Sequence, residues 1–206
     1  MTNILPISQD DAILAASTAI GRGELIVIPT DTVYGVACSP FDEAAIERLY
    51  AAKQRAPDKA LPVLLADPGD ALRVATGFPP LAARLIARFW PGALTITLPK
   101  RGGLPPNLSS YDSIGVRVPD HIALRSLIRA AGGAIAVSSA NISGMASPSK
   151  VQQAAAMLGD CVAVYLDGGT MSGSMASTVV EAHGNTVHIV REGPVTRAMI
   201  QAALAE

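Results

Sequence analysis

The sequence is poor in the residues that mark several common classes of protein. Aromatic residues make up only 4% of its 206 residues and charged residues only 16%, and the formal net charge is −1. A chain with this balance lacks the overall positive charge and the stacking surfaces typical of non-specific nucleic-acid binders, although a local basic patch remains compatible with it. Hydrophobic residues make up 50%, which excludes intrinsic disorder and allows a sizeable core.

Cysteines and membrane signals are scarce as well. Cys38 and Cys161 lie far apart without a CxxC pattern, which predicts small buried thiols rather than a disulfide framework. Residues 1–11 lack the basic and apolar segments of a secretory signal, so we expect a cytoplasmic protein with no membrane association. The uncharged stretch 130–149 has the length of a membrane span, but glycines, serines and Pro148 interrupt it, and it is predicted to contain a polar loop.

Short apolar runs and helical stripes are interspersed along the chain. This order predicts one domain over residues 1–206 of the α/β (or α+β) class, with a twisted, mostly mixed sheet and surrounding helices. Asp42 and Thr196 are predicted helix caps, and Pro148 is predicted as the first residue of a helix that ends at Leu158. The predicted strands are residues 25–28, 61–66, 93–98, 114–118, 134–138, 162–166, 177–180 and 186–190, the last two joined by a turn at 184–185; the remaining helices cover 11–20, 43–53, 81–89 and 122–131.

Several well-known catalytic motifs are incomplete. Gly168 and Gly173 have the glycine spacing of a phosphate-binding P-loop, but Ser174 stands where the lysine belongs. Ser147 and Lys150 match a nucleophile pattern, but its companion motifs are missing and a helix cap is the preferred interpretation. The three histidines have no zinc-ligand spacing, so we predict neither a protein-bound metal nor a nucleophilic triad.

Polar residues instead collect where apolar runs end. The segment 29–35 follows a predicted strand and indicates either a polar ligand site or a turn held by its own side chains. Lys53 and Arg55 at a helix end either complement the helix dipole or bind phosphate. Arg117 lies in an otherwise apolar strand and needs an anionic partner, which is either a carboxylate of the protein or one of a ligand.

Further hydroxyl and basic groups follow the later strands, among them Ser139, Asn141, Ser177 and Arg191. Together with the earlier loops they suit a polyphosphate-like anion and a second small polar molecule. No general base stands out, which favours chemistry by positioning and charge stabilisation, as in phosphoryl or nucleotidyl transfer.

At these residues the sequence resembles the YrdC-type threonylcarbamoyl-AMP synthases, in their short, single-domain bacterial form. The resemblance runs from about residue 23 to residue 194, and implies a YrdC-like domain with a concave basic cavity. It also implies the reaction of L-threonine, bicarbonate or CO2, and ATP to give threonylcarbamoyl-AMP and pyrophosphate, for modification of adenosine 37 in tRNA. The matching segments are residues 29–35, 53–55, 90–95, 115–119, 139–144 and 177–180.

The resemblance also implies roles for individual residues. It implies that Lys53 and Arg55 are catalytic and neutralise charge at the α-phosphate, and that Mg²⁺ arrives with ATP rather than in a protein cage. The positions implied to bind threonine are Thr32, Arg117, Val137 through its backbone, and Ser177. The positions implied to bind ATP are Lys53, Arg55, Lys59, Ser113, Ser139, Asn141, Ser147 and Arg191.

The chain departs from the family pattern at a few positions. Lys59 stands at an asparagine position, Leu64 at a histidine position that implies a threonine contact, and Ser138 at a proline position. The alternative hypothesis is a YrdC-like binding module that holds RNA or a nucleotide without turnover. In the enzyme hypothesis, tRNA or the downstream threonylcarbamoyl transferase is a transient partner.

Overall fold

Strands and helices follow each other along most of the chain. The structure is a computed structural model that describes residues 3–56, 59–171, 175–183 and 186–205. The strands are β1 Ile4–Pro6, β2 Ile26–Ile28, β3 Gly35–Cys38, β4 Val63–Leu65, β5 Leu94–Pro99, β6 Ser113–Arg117, β7 Ala134–Ser139, β8 Val164–Asp167, β9 Thr178–His183 and β10 Thr186–Arg191. The α-helices are α1 Asp10–Gly21, α2 Glu43–Lys53, α3 Pro80–Phe89, α4 Ile122–Ala130, α5 Val151–Leu158 and α6 Arg197–Ala205.

All of these strands join one sheet in the order β1-β8-β2-β3-β7-β4-β6-β5-β9-β10. The pairs β1–β8, β2–β8, β4–β6 and β5–β9 are parallel, and the other neighbours are antiparallel. The predicted mixed sheet with surrounding helices is therefore confirmed. The extension of one domain over residues 1–206 stays a prediction.

The two faces of the sheet carry separate cores because side chains alternate along each strand. One core packs Val63, Val116 and their neighbours against residues of α2, α3, α5 and α6. The other packs Ile26, Ile28 and Leu64 against α1 and α4. Helices α1 and α4 contact the part of the sheet from β8 to β4, and on this same face β6, β5 and β9 contribute polar side chains to cavities.

Most predicted elements are confirmed within a few residues, including the caps. The Asp42 carboxylate accepts a hydrogen bond from the Ala45 amide at 3.0 Å, and the Thr196 hydroxyl oxygen accepts one from the Met199 amide at 3.3 Å. The turn expected at residues 184–185 lies outside the described residues.

One helix start was predicted wrongly. Helix α5 begins at Val151 rather than at Pro148, because the Gln153 side chain accepts hydrogen bonds from the Ser149 and Lys150 amides and caps the helix there. The Pro148 carbonyl instead accepts a hydrogen bond from the Tyr34 amide at 3.3 Å. Ser147 is accordingly not the helix cap.

Strands β1 and β3 were not predicted: β1 ends in a proline, and β3 begins with a glycine directly after the polar turn. Among the described residues, every helix is too short or too polar to span a lipid bilayer.

Candidate functional site

A cavity of about 240 Å³ opens on the sheet face at the junction of β3, β7, β4, β6 and β5. Its wall combines hydroxyl groups, three guanidinium groups and a few apolar side chains. The lining residues are Thr30, Thr32, Val33, Gly35, Arg55, Pro62, Leu64, Thr95, Arg117, Val137, Ser138, Ser139, Ser147, Ala176, Ser177 and Arg191.

Arg117, the last residue of β6, is fixed on several sides. Its side chain is only 5% exposed. Its Nε donates to the Gly92 carbonyl at 2.8 Å, its Nη1 lies 3.3 Å from the Thr32 hydroxyl, and its Nη2 forms an ion pair with the Asp31 carboxylate. Of the two partners that the sequence left open, a protein carboxylate is thus the one present, although the guanidinium also lines the cavity.

The turn after β2 holds itself together and lines the cavity at the same time. The Thr30 hydroxyl donates to the Val33 carbonyl at 2.7 Å and accepts from the Thr32 and Val33 amides. Thr30 and Thr32 also join their hydroxyls at 2.9 Å, and both residues are buried. The interpretation of segment 29–35 as a turn held by its own side chains is therefore confirmed, and the same hydrogen bonds hold the two hydroxyls in the cavity wall. Ligand binding by this segment stays a prediction.

A second cavity of about 360 Å³ lies beside the first, over β6, β5 and β9. The two cavities share Arg55, Pro62, Thr95, Ser177 and Arg191 in their walls, so two cations stand at their boundary. The second cavity is further lined by Tyr111, Ser113, Val179, Glu181 and Val190, among others. The arrangement offers an amino-acid-sized compartment next to a larger one, with positive charge between them.

Arg55 and Arg191, the two cations at the boundary of the cavities, have guanidinium N–H groups left to donate to a ligand. Arg55 donates weakly from Nη2 to the carbonyls of Lys59 and Ala60, at 3.4 and 3.3 Å, and its buried Nε has no partner among the described residues. Arg191 donates from Nε and Nη2 to the Ser177 carbonyl at 3.1 and 2.8 Å. Desolvation lowers the pKa of Arg191, and the charge of Arg117 lowers it further. Two guanidinium groups this close to each other favour an anionic ligand.

Lys53 lines neither cavity. It is 1% exposed, and its Nζ donates to the Asn141 carbonyl at 2.5 Å and to the Ser139 carbonyl. The Lys53 carbonyl accepts from the Ser143 amide at 2.8 Å, so the end of α2 is tied to the loop after β7 from both sides. Burial and, secondarily, the charge of Arg55 lower the pKa of Lys53 to about 8.

Most residues predicted for the site come together. The four positions implied to bind threonine all line the first cavity, as do Arg55, Ser139, Ser147 and Arg191, while Ser113 lines the second. Lys53, Lys59 and Asn141 line neither cavity; Lys59 is exposed, and the buried Asn141 amide donates to the carbonyls of Ile142 and Met145 at 2.8 Å. The binding roles of all these residues stay predictions.

Sequence reasoning missed part of the wall. Thr95 lies on β5 and joins its hydroxyl to that of Ser177 at 2.8 Å, and Thr30 holds the turn described above. Both are inside segments that the resemblance had already marked, which was the available signal. Asp31 lies in the same marked segment, but nothing in the sequence indicates that it meets Arg117, 86 positions away.

Comparison with known proteins defines the class of protein. A family model named Sua5/YciO/YrdC, with the description "Telomere recombination", matches residues 18–193. The chain belongs to this family, as the resemblance predicted.

Within the family, the chain is similar to proteins named threonylcarbamoyl-AMP synthase. A Mycobacterium tuberculosis (strain ATCC 25618 / H37Rv) protein is 38% identical over 200 residues, which are 97% of this chain and 92% of that protein. The threonylcarbamoyl-AMP synthase of Bacillus subtilis (strain 168) is 34% identical over 199 residues, 96% of this chain and 58% of the longer relative. The synthase of Pseudoalteromonas translucida (strain TAC 125) is 32% identical over 183 residues, 87% of this chain and 98% of that protein.

Solved structures share the fold. P. abyssi Sua5 complexed with L-threonine superimposes with a TM-score of 0.91 at 31% identity, over 98% of this chain and 60% of that one. E. coli YciO superimposes with a TM-score of 0.85 at 25% identity, over 94% of this chain and 97% of that one.

Proposed function

We propose that the protein is an L-threonylcarbamoyladenylate synthase, a nucleotidyltransferase that forms threonylcarbamoyl-AMP and pyrophosphate from L-threonine, bicarbonate or CO2, and ATP. The observation that carries the proposal is the placement of Arg117 and several hydroxyls in a small cavity, with Arg55 and Arg191 at its boundary with a larger one. Relatives named threonylcarbamoyl-AMP synthase, and the threonine complex of P. abyssi Sua5, support it.

The first cavity takes the amino acid. Arg117 is the cation for the threonine carboxylate, since a buried guanidinium binds a carboxylate through paired, charge-assisted hydrogen bonds. The hydroxyls of Thr32 and Ser177 and the Val137 backbone, which line the same cavity, bind the polar groups of threonine. Leu64 is 5% exposed in the same wall and gives the threonine methyl an apolar contact, where the family pattern has a histidine.

ATP enters as its magnesium complex and lies across the boundary of the two cavities. Arg55 and Arg191 neutralise the phosphates, and Ser113, Ser139 and Ser147 supply hydroxyl groups along the path. Mg²⁺ belongs to this substrate and is bound mainly by phosphate oxygens and water. Direct ATP contacts by Lys59 and Asn141 remain part of the proposal, although their side chains line neither cavity.

The chemistry proceeds by positioning and charge stabilisation. The free amine of threonine adds to the carbon of CO2 and loses a proton to water, which gives a carbamate; from bicarbonate, a water molecule leaves in the same overall step. A carbamate oxygen then attacks the α-phosphorus of ATP. The bond from the α-phosphorus to the bridging oxygen breaks, and pyrophosphate leaves with that electron pair. Arg55 at the cavity boundary stabilises the charge that develops on the phosphoryl oxygens, a contribution commonly worth about 3–4 kcal/mol.

The product is a reactive acyl adenylate that must be passed to an acceptor. We propose that it supplies the threonylcarbamoyl group for adenosine 37 of tRNA, with the transferase or tRNA as a transient partner in the cytoplasm. The relatives' names favour this enzyme over the alternative of a binding module without turnover.

The test is pyrophosphate release from the purified protein with L-threonine, bicarbonate and MgATP, each omitted in turn. We expect release only with all three present, together with a product of the mass of threonylcarbamoyl-AMP. Release that is independent of threonine, or nucleotide binding without any release, would contradict the proposal.

A further inference from the structure

Asp31 gives the proposed carboxylate site an anion of its own. Its carboxylate forms an ion pair with Nη2 of Arg117, and the two side chains are only 14% and 5% exposed. Asp31 does not line the cavity, whereas its neighbours Thr30 and Thr32 and its partner Arg117 do. The anion therefore flanks the guanidinium from outside the space proposed for the amino acid.

The ion pair between Asp31 and Arg117 reduces the positive charge that acts on a ligand in the cavity. A nearly buried guanidinium without a counter-ion is costly, so Asp31 stabilises the empty site. The same negative charge repels a second carboxylate brought to the guanidinium, because the two anions then lie within several ångströms of each other in a poorly solvated environment. Nη2 is also the nitrogen common to both two-pronged faces of a guanidinium, so a ligand that binds through two hydrogen bonds shares it with Asp31.

The neighbouring histidine does not take over the role of Arg117. His121 caps α4 by accepting from the Leu124 amide at 3.2 Å, and burial lowers its pKa although the charge of Asp31 opposes this. The imidazole is thus mostly neutral at pH 7, and the guanidinium is the main cation that responds when Asp31 loses its charge.

We propose that Asp31 is an internal counter-ion that weakens binding of the amino-acid carboxylate at Arg117 and, in exchange, stabilises the unliganded protein. This inference rests on the proposed function, since it assumes that threonine is the ligand of the first cavity. Asp31 acts through Arg117 and is a positioning and charge-setting residue, not a catalytic one.

The deciding variant is Asp31→Asn, which removes the charge and keeps an oxygen that accepts from Nη2. Threonine binding is measured by calorimetry and by ligand-induced thermal shift, at low salt and pH 7.5. We expect the dissociation constant for L-threonine to fall by about 5- to 50-fold, while the unliganded variant melts at a lower temperature. L-threoninol, which lacks the carboxylate, is expected to bind the variant and the wild type with similar affinity.

The matched control is Asp67→Asn. Asp67 also pairs with arginines, at 2.6 Å to Arg125 and 2.7 Å to Arg129, but it lines neither cavity. We expect this control to melt earlier than the wild type with an unchanged dissociation constant for threonine. The comparison separates loss of an ion pair in general from loss of the one at Arg117.

The outcomes distinguish this inference from the proposed function. Absence of threonine binding to the wild type would count against the proposed function itself. Wild-type binding with an equal or weaker affinity in Asp31→Asn would overturn the counter-ion role alone, and so would an equal tightening for L-threoninol. If Asp31→Asn does not fold, Asp31→Ser removes the same charge with a smaller hydroxyl acceptor and is judged by the same criteria.

Discussion

Replacement of Lys53 by methionine separates a structural role from a phosphate-binding role. Methionine keeps most of the length of the side chain but cannot donate to the carbonyls of Ser139 and Asn141. Because Lys53 is 1% exposed, water cannot easily replace the ammonium there. The substitution is therefore expected to destabilise the fold and to loosen the end of β7 and the loop that follows it.

The size of the effect follows from two opposing contributions. Loss of two hydrogen bonds from a charged donor costs about 3–6 kcal/mol. Lowering of the Lys53 pKa from 10.5 to about 8 corresponds to about 3 kcal/mol of desolvation and repulsion that methionine does not suffer. With the middle of the first range, about 4.5 kcal/mol, hydrogen-bond loss exceeds the relieved penalty, and we expect Lys53→Met to lower the free energy of unfolding by about 1–2 kcal/mol.

The assay is urea denaturation at pH 7, run beside steady-state kinetics. Arg55→Ala is the matched control, because Arg55 is two residues away, lines the cavities and makes only long contacts to carbonyls. Lys53→Met with wild-type stability and a turnover as low as that of Arg55→Ala would refute the structural reasoning. Lys53 would then act on the phosphates, as the sequence resemblance implies.

Four further predictions address the site. Arg55→Ala should lower turnover by about 10²-fold or more with an unfolding free energy within about 0.5 kcal/mol of wild type, and near-normal rates would exclude its phosphate role. Arg117→Lys should raise the KM for threonine more than the KM for ATP in saturation curves. Arg117→Ala should raise the threonine KM further and also lower the free energy of unfolding by about 3 kcal/mol. A loss of stability with an unchanged threonine KM would show that Arg117 serves only the ion pair with Asp31. Serine should compete with threonine at a disadvantage of about 1–3 kcal/mol, since one methyl is missing, and equal use of both would contradict the wall formed by Leu64. Between pH 8 and 10.5 the unfolded chain keeps the Lys53 proton that the folded protein releases. The free energy of unfolding of the wild type, measured by urea titration, should therefore rise relative to that of Lys53→Met as the pH increases across this window. A decrease of that difference with pH would contradict the lowered pKa of Lys53.

Local chemistry in the sequence was enough to predict most elements. Asp42 caps α2 as expected because a carboxylate before an apolar stripe satisfies a free amide at the helix start. Apolar runs such as 114–118 became strands for a similarly local reason, since buried β-branched residues favour the extended chain. The start of α5 was predicted wrongly because two possible helix starts lie within a few residues of each other. The Gln153 side chain accepts from the Ser149 and Lys150 amides, and the helix begins there rather than at Pro148.

For the candidate site, too, local features could be predicted from the sequence and long-range contacts could not. The residue types available to the site can be read along the chain: hydroxyls after β2 and at the end of β7, and cations near the end of α2 and on β6 and β10. The contacts between these residues follow from the three-dimensional arrangement alone: Arg117 pairs with Asp31, Lys53 donates to backbone carbonyls whereas Arg55 lines the cavities, and the Thr95 hydroxyl joins that of Ser177. These contacts join residues separated by more than 80 positions, and they depend on the strand order β2-β3-β7-β4-β6-β5-β9. No local pattern encodes which strands become neighbours, because strand order is determined by the burial of the whole sheet.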